Sequence, residues 1–326
     1  MSSDTATARS VVTSRLTAGS IARFLQKYAV AVMIVLLMAL LTALSDSFLT
    51  TQNLINILNQ NAPLAIMAAA MTLVIIGGGF DLSVGATFAV AGVSAAWVAL
   101  HVHPLLGLAI APCVGLALGL VNGVTITVLN IHSFLATLAT SLVFRGIAIL
   151  ITGGTLIPVR LPEFTWLGRG RIGPVYIAVI VMIVFAVALM VLLNRTAFGR
   201  KVFAVGGNEE AAILSGIRTR RVKIVTFAIA GFAAGLASAI AVSRISMGQA
   251  TAGAGMELEA IAAVIIGGTS IYGGQGAIWR SLAGVIMLAL INNGFNILNA
   301  DPFFKDLTTG LIIVAAVAIS ASGRRR

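Results

Sequence analysis

Apolar residues run along this chain in long unbroken stretches, and the polar positions gather between them in short clusters rich in Gly, Asn and Arg. The stretches do not alternate with a period of two. They therefore do not read as barrel strands, which come as segments of about ten residues with every second side chain facing a wet lumen. Measured against the roughly 20 apolar residues that a helix needs to cross a bilayer, ten segments qualify: 28–47, 61–78, 84–101, 104–129, 134–152, 174–194, 223–243, 257–274, 277–298 and 306–322. Several connections are so short that neighbouring helices must be antiparallel. The expected fold is all-α and polytopic, with about ten transmembrane helices.

Composition narrows the picture further. Of 326 residues, 59% are apolar and 10% are charged, against roughly 25% charged in a soluble domain. So little charge cannot cover a soluble globule, and disordered or collagen-like chains have other compositions. The single cysteine, Cys113, sits in an apolar run, where it reads as a small buried residue, and no intrachain disulfide can form.

The formal net charge of +11 is not pooled in a soluble basic domain, which argues against nucleic acid as a partner. It follows the positive-inside rule instead. With cytoplasmic termini, the inner side carries 15 basic residues: Arg9, Arg15, Arg23, Lys27, Arg195, Arg200, Lys201, Arg218, Arg220, Arg221, Lys223, Arg280 and Arg324 to Arg326. The outer side carries 5: Arg160, Arg169, Arg171, Arg244 and Lys305. This divides the chain into a cytoplasmic N-terminal segment (1–27), one transmembrane domain (28–322) and a basic C-terminal tail (323–326). The long polar N-terminal segment favours an uncleaved first helix over a signal peptide. Two hydrophilic loops stand out, an outer one at 153–173 that reads as a folded cap, and an inner one at 195–223. Neither a P-loop nor a Rossmann fingerprint is present. If ATP powers transport by this chain, the ATPase is a separate polypeptide.

Four clusters carry candidate chemistry. Gly77-Gly78-Gly79-Phe80-Asp81-Leu82-Ser83-Val84-Gly85 lies between two apolar segments. It reads either as a broken-helix element on a translocation path or as a capped turn, with Asp81-x-Ser83 as N-cap of the next span. The pentapeptide Val74–Gly78 recurs at Val264–Gly268, so both turns could mark a weak internal repeat. Asn292, Asn296 and Asn299 share a helical face, with Asn293 beside them, and Asn53, Asn56, Asn59 and Asn61 lead into the second span. Amides there either bond between helices or face a wet path suited to neutral hydroxylated solutes. In the inner loop, Asn208 is set to cap a short helix with Glu209 and Glu210 in its first turn and Gly216 at its end, exposing Ala211, Ile213, Leu214 and Ile217. That helix either docks on a partner or lies on lipid.

Arg145 is a charge within a span and requires a carboxylate, carbonyls or water; Asp81 is one conceivable partner. Glu257 and Glu259 open the eighth span near the outer face, where the helix N-terminus favours them. His101, His103 and His132 are not grouped at metal-ligand spacing, and no nucleophile constellation is readable. No metal, cofactor or catalytic residue is expected.

The motifs GGGFDLSVGA at 77–86, GGNEEAAILSGI at 206–217, ELEAIAAVIIGGTSIYGGQGA at 257–277 and NNGFNILN at 292–299 together resemble, in order, the sugar-type ABC importer permeases of the ribose permease family. The resemblance runs from about Leu54 to Val317. Phe80 departs from it, since the family often has Ile directly before the Asp. The resemblance implies a homodimeric permease in the bacterial inner (cytoplasmic) membrane, lipid-embedded, with a separate ATP-binding-cassette ATPase and a periplasmic sugar-binding protein. It implies no enzyme activity on this chain. The family's cytoplasmic loop maps onto Glu210, Ala211, Ala212 and Gly216, flanked by Asn208, Glu209 and Leu214, which would dock in the ATPase. The expected solute path comprises Asn56, Asn61, Asp81, Ser83, Asn292, Asn293 and Asn296. The alternative is an ion-coupled secondary transporter using Asp81.

Overall fold

The computed structural model describes residues 18–299 with 301, 304, 307, 308, 310, 311 and 314, and side chains from residue 30 onward. Residues 1–17, Lys305 and the tail 323–326 lie outside the described residues, and of the tenth expected span only 307, 308, 310, 311 and 314 are described, all helical.

The centre is helix α2 (Thr51–Ile76). From Ala62 to Ile76 it is apolar all round except at Thr72, and every side chain there is buried. A helix without a polar face has to be surrounded. Around it pack α7 (Ile177–Arg195), α10 (Thr219–Ile245), α11 (Met256–Ile266) and α12 (Ile278–Ile297). The buried Thr72 hydroxyl lies 2.7 Å from Ala68 O and 2.8 Å from Ser281 Oγ on α12.

Helices α3 (Val84–His101), α4 (Pro104–Leu129) and α5 (Ser133–Thr152) lie on the α10 side. On α4, Gly115, Gly119 and Gly123 stand where a Cβ would strike the α10 backbone at Gly231, Phe227 and Ile224. Small residues at this seam let the two backbones close on each other, as in membrane helix pairs. Outward faces are apolar, with Leu142 73% and Leu150 83% exposed on α5. Cys113 is exposed on α4 rather than buried, because the face that meets α10 is carried by Ala111, Gly115 and Gly119 and position 113 points away from it. Helix α1 (Ala18–Leu44) packs on α12.

Among the described residues seven helices are long and apolar enough to cross a membrane: α2, α3, α4, α5, α7, α10 and α12. The chain is an all-α, multi-pass membrane protein. Three boundaries differ from the sequence expectation. Helix α1 begins at Ala18 and stops at Leu44. Helix α2 starts at Thr51, capped by the Thr50 side chain, so Asn53, Asn56 and Asn59 lie within it. The third difference is the eighth span, which is not a continuous helix over 257–274.

Past α10, residues 246–255 run back into the bundle along α3. Gly248 packs on Ala96 and Val93, and Gly253 on Phe88 and Gly85. Only then does α11 begin, and its 11 residues are too few for a crossing that takes about 20. The non-helical, turn-rich segment and the short helix together traverse the bundle. Glu257 and Glu259 thus start a helix deep inside, not at the outer face. The Glu257 carboxylate lies against Gly85, and its Oε1 accepts the Gly255 N–H at 3.3 Å. The Gly-rich stretch before α11, with Gly253 and Gly255 at positive φ, stops a helix from starting earlier.

The 153–176 connection folds into a cap over one end of the bundle. It holds β1 (Ile157–Pro158), a short 3-10 turn (Pro162–Thr165), α6 (Trp166–Arg169), β2 (Arg171–Ile172) and β3 (Val175–Tyr176). Strand β1 pairs antiparallel with β4 (Met247–Gly248), matching Ile157 to Gly248, and β2 pairs with β3. Phe164 is fully buried, and Ser243 of α10 ties the cap down, donating to Phe164 O at 2.6 Å and accepting from Gly168 N at 2.8 Å.

Candidate functional site

Both VIIGG pentapeptides end a helix in the same way. At the end of α2, Gly78 N bonds Ile75 O (3.0 Å) and Gly79 N bonds Val74 O (2.9 Å), with Gly78 at φ 82°. At the end of α11, Gly268 N bonds Ile265 O (2.8 Å) and Thr269 N bonds Val264 O (3.2 Å), with Gly268 at φ 85°. These turns need a left-handed residue at the second glycine. They come together at one end of the bundle, where Gly274 N donates to Ile76 O at 2.8 Å.

After the first turn the chain stays inside. Phe80 N donates to Ser133 Oγ (3.0 Å) and Leu82 N to Thr137 Oγ1 (3.0 Å), so α5 satisfies the broken backbone. Asp81 is 1% exposed, and its Oδ1 accepts the Ser83 N–H (2.9 Å) and the Ser83 hydroxyl (2.6 Å). Asn122 Nδ2 donates in turn to Ser83 Oγ at 2.6 Å. Asp81 closes a local turn two residues long rather than capping the helix. The N-cap position of α3 belongs to Ser83, whose side chain makes no cap bond because Asp81 and Asn122 already occupy it.

Toward the opposite end lies a cavity of about 580 Å³. Asn61, Asn292, Asn293 and Asn296 line it, together with Gln60, Arg244 and Glu259, which the sequence reading did not place there. Asn292 Oδ1 is buried without a protein partner. Asn293 exchanges amide bonds with Asn53 at 2.9 and 3.2 Å. Asn56 stands outside the cavity wall, accepting from Gln52 Nε2 at 2.9 Å, with the Tyr176 hydroxyl 3.5 Å away.

Arg244 reaches the cavity through a chain of local causes. Pro63, inside α2, has no N–H, which frees the carbonyl four residues earlier. That carbonyl is Asn59 O, and Arg244 Nη1 donates to it at 2.8 Å. A proline within a predicted span and an arginine at the end of another were the sequence signals for this pair.

A second cavity of about 250 Å³ lies at the end where the VIIGG turns meet. Gly77 to Gly79, His132, Ser133, Glu209, Lys223 and Phe227 line it. Asp81 and Ser83 line neither of these two cavities.

Arg145 does not pair with Asp81. Its Nη1 donates to Ala250 O and Ala252 O at 2.7 and 2.9 Å.

Between α7 and α10, the chain forms α8 (Ala197–Gly207), which the sequence reading did not anticipate, and α9 (Glu209–Leu214). Asn208 Oδ1 caps α9 by accepting from Ala211 N at 2.9 Å, and Gly216 ends it at φ 78°. Glu210, Ala211, Ile213 and Leu214 are exposed, Leu214 by 88%, while Ala212 is buried. Ile217 packs back on the core instead of projecting with them. Lys223 at the start of α10 pairs with Glu209 at 2.6 Å. The same end carries Arg195, Arg200, Lys201, Arg218, Arg220, Arg221 and Arg280.

Residues 53–317 match the family described as branched-chain amino acid transport system / permease component. The chain is 40% identical over 299 residues to the ribose import permease protein RbsC of Escherichia coli (strain K12), covering 90% of this chain and 92% of that one. It is 40% identical over 287 residues to RbsC of Bacillus subtilis (strain 168), covering 87% and 89%. It is 35% identical over 301 residues to the D-allose transport system permease protein AlsC of Escherichia coli (strain K12), covering 91% and 92%. No solved structure matches the chain.

Proposed function

This chain belongs to the branched-chain amino acid transport system / permease component family, and from that premise we propose that it is the membrane-spanning subunit of an ATP-driven importer for a monosaccharide-like solute. The carrying observation is α9, a short helix that projects Ile213 and Leu214 from the basic end of the bundle. Exposed apolar side chains at the tip of a loop favour a protein partner that covers them. The partner is an ATP-binding-cassette ATPase, and the hydrolytic chemistry belongs to it. Asn208, Glu209, Glu210, Ala211, Ala212, Leu214 and Gly216 form the docking element.

The basic end faces the cytoplasm. The cavity between Asn61 and Asn292 then opens toward the side from which a periplasmic sugar-binding protein delivers solute. Its amides offer donor and acceptor together, which suits the hydroxyls of a neutral sugar, and relatives named for ribose and D-allose import favour the same class. Asn56, Asp81 and Ser83 support the path from outside its wall. The protein works in the bacterial inner membrane, pairs with a second copy of itself and is surrounded by lipid.

Coupling follows the rigid elements between the two ends. The Glu209–Lys223 pair links α9 to α10, and Arg244 at the other end of α10 lines the cavity. Gly206 of α8 sits against Ile76 and Gly274, where α2 and the α11 turn meet, and both helices also line the cavity through Asn61 and Glu259. Movement of α9 thus reaches three walls of the solute route. Ion coupling through Asp81 would require that carboxylate in a water-filled space, and it is hydrogen-bonded within its own turn.

The test is purification of the tagged chain from native membranes in mild detergent, with ATP hydrolysis assayed on what accompanies it. A co-purifying ATPase at fixed ratio, lost on Glu210→Lys, is the expected result. Uptake of labelled D-ribose and D-allose by vesicles carrying the complex then reads the solute. A chain that emerges alone and without ATPase activity under several mild conditions overturns the reading.

A further inference from the structure

Segment 246–255 is non-helical backbone packed along α3 among membrane-crossing helices, with Gly248 and Ala250 buried and Thr251, Ala254 and Gly255 exposed, and such backbone persists only where its polar groups find partners. The stretch of α3 it follows, from Ala96 to Gly85, is roughly 16 Å long at the rise of an α-helix. Over that distance its carbonyls divide into two sets. Gln249 O and Thr251 O accept from Ala252 N and Ala254 N within the segment, at 3.1 and 3.4 Å, and Gly253 O accepts from Met256 N at the start of α11, at 3.1 Å. The intervening carbonyls of Ala250 and Ala252 both go to Arg145 Nη1.

The need is mutual, since an intramembrane guanidinium is costly without partners. Around it, Phe144 and Ala148 of α5 pack with Ala250 and the α3 residues Ala86, Ala89 and Val90. The segment then delivers Gly253 and Met256 to the wall of the larger cavity.

We propose that Arg145 is a positioning residue of the translocation route: its guanidinium holds segment 249–255 on α3 and so sets where Gly253 and Met256 stand in the cavity wall. Its effect on transport rests on the reading of the cavity as the solute route; the positioning does not.

The experiment separates the two. In a Cys113→Ala background, Met256→Cys and, on the facing α12 wall, Asn296→Cys are each labelled in intact membranes with a membrane-impermeant maleimide. Arg145→Gln is expected to change the labelling rate at 256 by about tenfold, as befits the loss of two charge-assisted hydrogen bonds, and to leave the rate at 296 unchanged. Arg145→Lys, which keeps the charge and a single multi-proton nitrogen donor on a shorter side chain, is expected to restore the rate at 256 in part. It also carries the test if Arg145→Gln fails to reach the membrane. ATP-driven uptake of D-ribose or D-allose should fall in the same order. Unchanged labelling at 256, or equal changes at 256 and 296, overturns the positioning role. Altered labelling at 256 alone with normal uptake would keep the positioning and overturn the cavity as solute route.

Discussion

Gly274 donates its backbone N–H to the carbonyl oxygen of Ile76 at 2.8 Å, joining residues far apart in the chain at the point where the two VIIGG turns meet. Gly206, near the end of α8, is wedged beside this bond. A Cβ at 206 would collide with the Ile76 carbonyl oxygen and come within 2.8 Å of Gly274 N. One junction therefore gathers the ends of α2, α8 and the loop after α11.

Gly206→Ala is expected to force that junction apart, because the obstacles are backbone atoms that cannot rotate away. Overpacking of this kind costs about 1–3 kcal/mol. Gly207→Ala, next door, meets nothing within 4 Å and should be neutral. Thermal unfolding of the two variants in detergent checks the contrast; equal midpoints would refute it.

Arg244→Ala should leave Asn59 O without its donor, a loss of about 1–3 kcal/mol for a buried acceptor. Pro63→Ala returns an N–H to the position four residues on. The double variant is therefore expected to be more stable than the sum of its parts by about 0.5–1 kcal/mol. A double-mutant cycle on thermal or denaturant unfolding reads this coupling, and strict additivity would exclude the mechanism.

Leu214→Asp and Glu210→Lys should release the ATPase while leaving the chain folded, since both side chains are exposed. Glu209→Gln breaks the ion pair with Lys223, whose side chains are 29% (Lys223) and 42% (Glu209) exposed. A pair so open to solvent is worth about 0–1 kcal/mol, so stability should barely move while coupled ATP hydrolysis falls. Pull-down ratios and solute-stimulated ATPase rates measure the two effects separately. ATPase retained by Leu214→Asp would argue against α9 as the docking element.

Asp81→Asn keeps an acceptor for Ser83, whereas Asp81→Ala strands the Ser83 donors and unsettles Asn122. The alanine variant should lose about 1–3 kcal/mol and the asparagine variant less. Uptake by the unmodified protein should withstand a protonophore and a sodium ionophore as long as ATP is supplied. Uptake that collapses with an ion gradient at constant ATP, and becomes gradient-independent in Asp81→Asn, would restore the ion-coupled alternative.

Local rules reached far along this chain. Asn208 and Gly216 bracket α9 as their capping chemistry requires, and both VIIGG repeats turn identically because a second glycine can take positive φ. They failed where partners come from elsewhere. The eighth span looked continuous over 257–274 because Ala260 to Ile266 is apolar, yet its helix ends at the Gly267–Gly268 turn, and hydropathy registers neither that turn nor the packing of the preceding Gly- and Ala-containing segment along α3. Asp81 resembled a cap, but its Oδ1 is taken by the N–H and hydroxyl of Ser83, whose oxygen in turn accepts from Asn122.

The order of helices, the membrane habitat and the short projecting helix follow from sequence alone, since hydropathy, charge bias and capping act over a few neighbouring residues. Which polar groups face one another was decided only by tertiary structure. Arg145 meets Ala250 and Ala252, and Arg244 meets the carbonyl that Pro63 frees. A buried donor takes whichever acceptor the packed helices bring to it, and that acceptor can lie more than a hundred residues away in the chain.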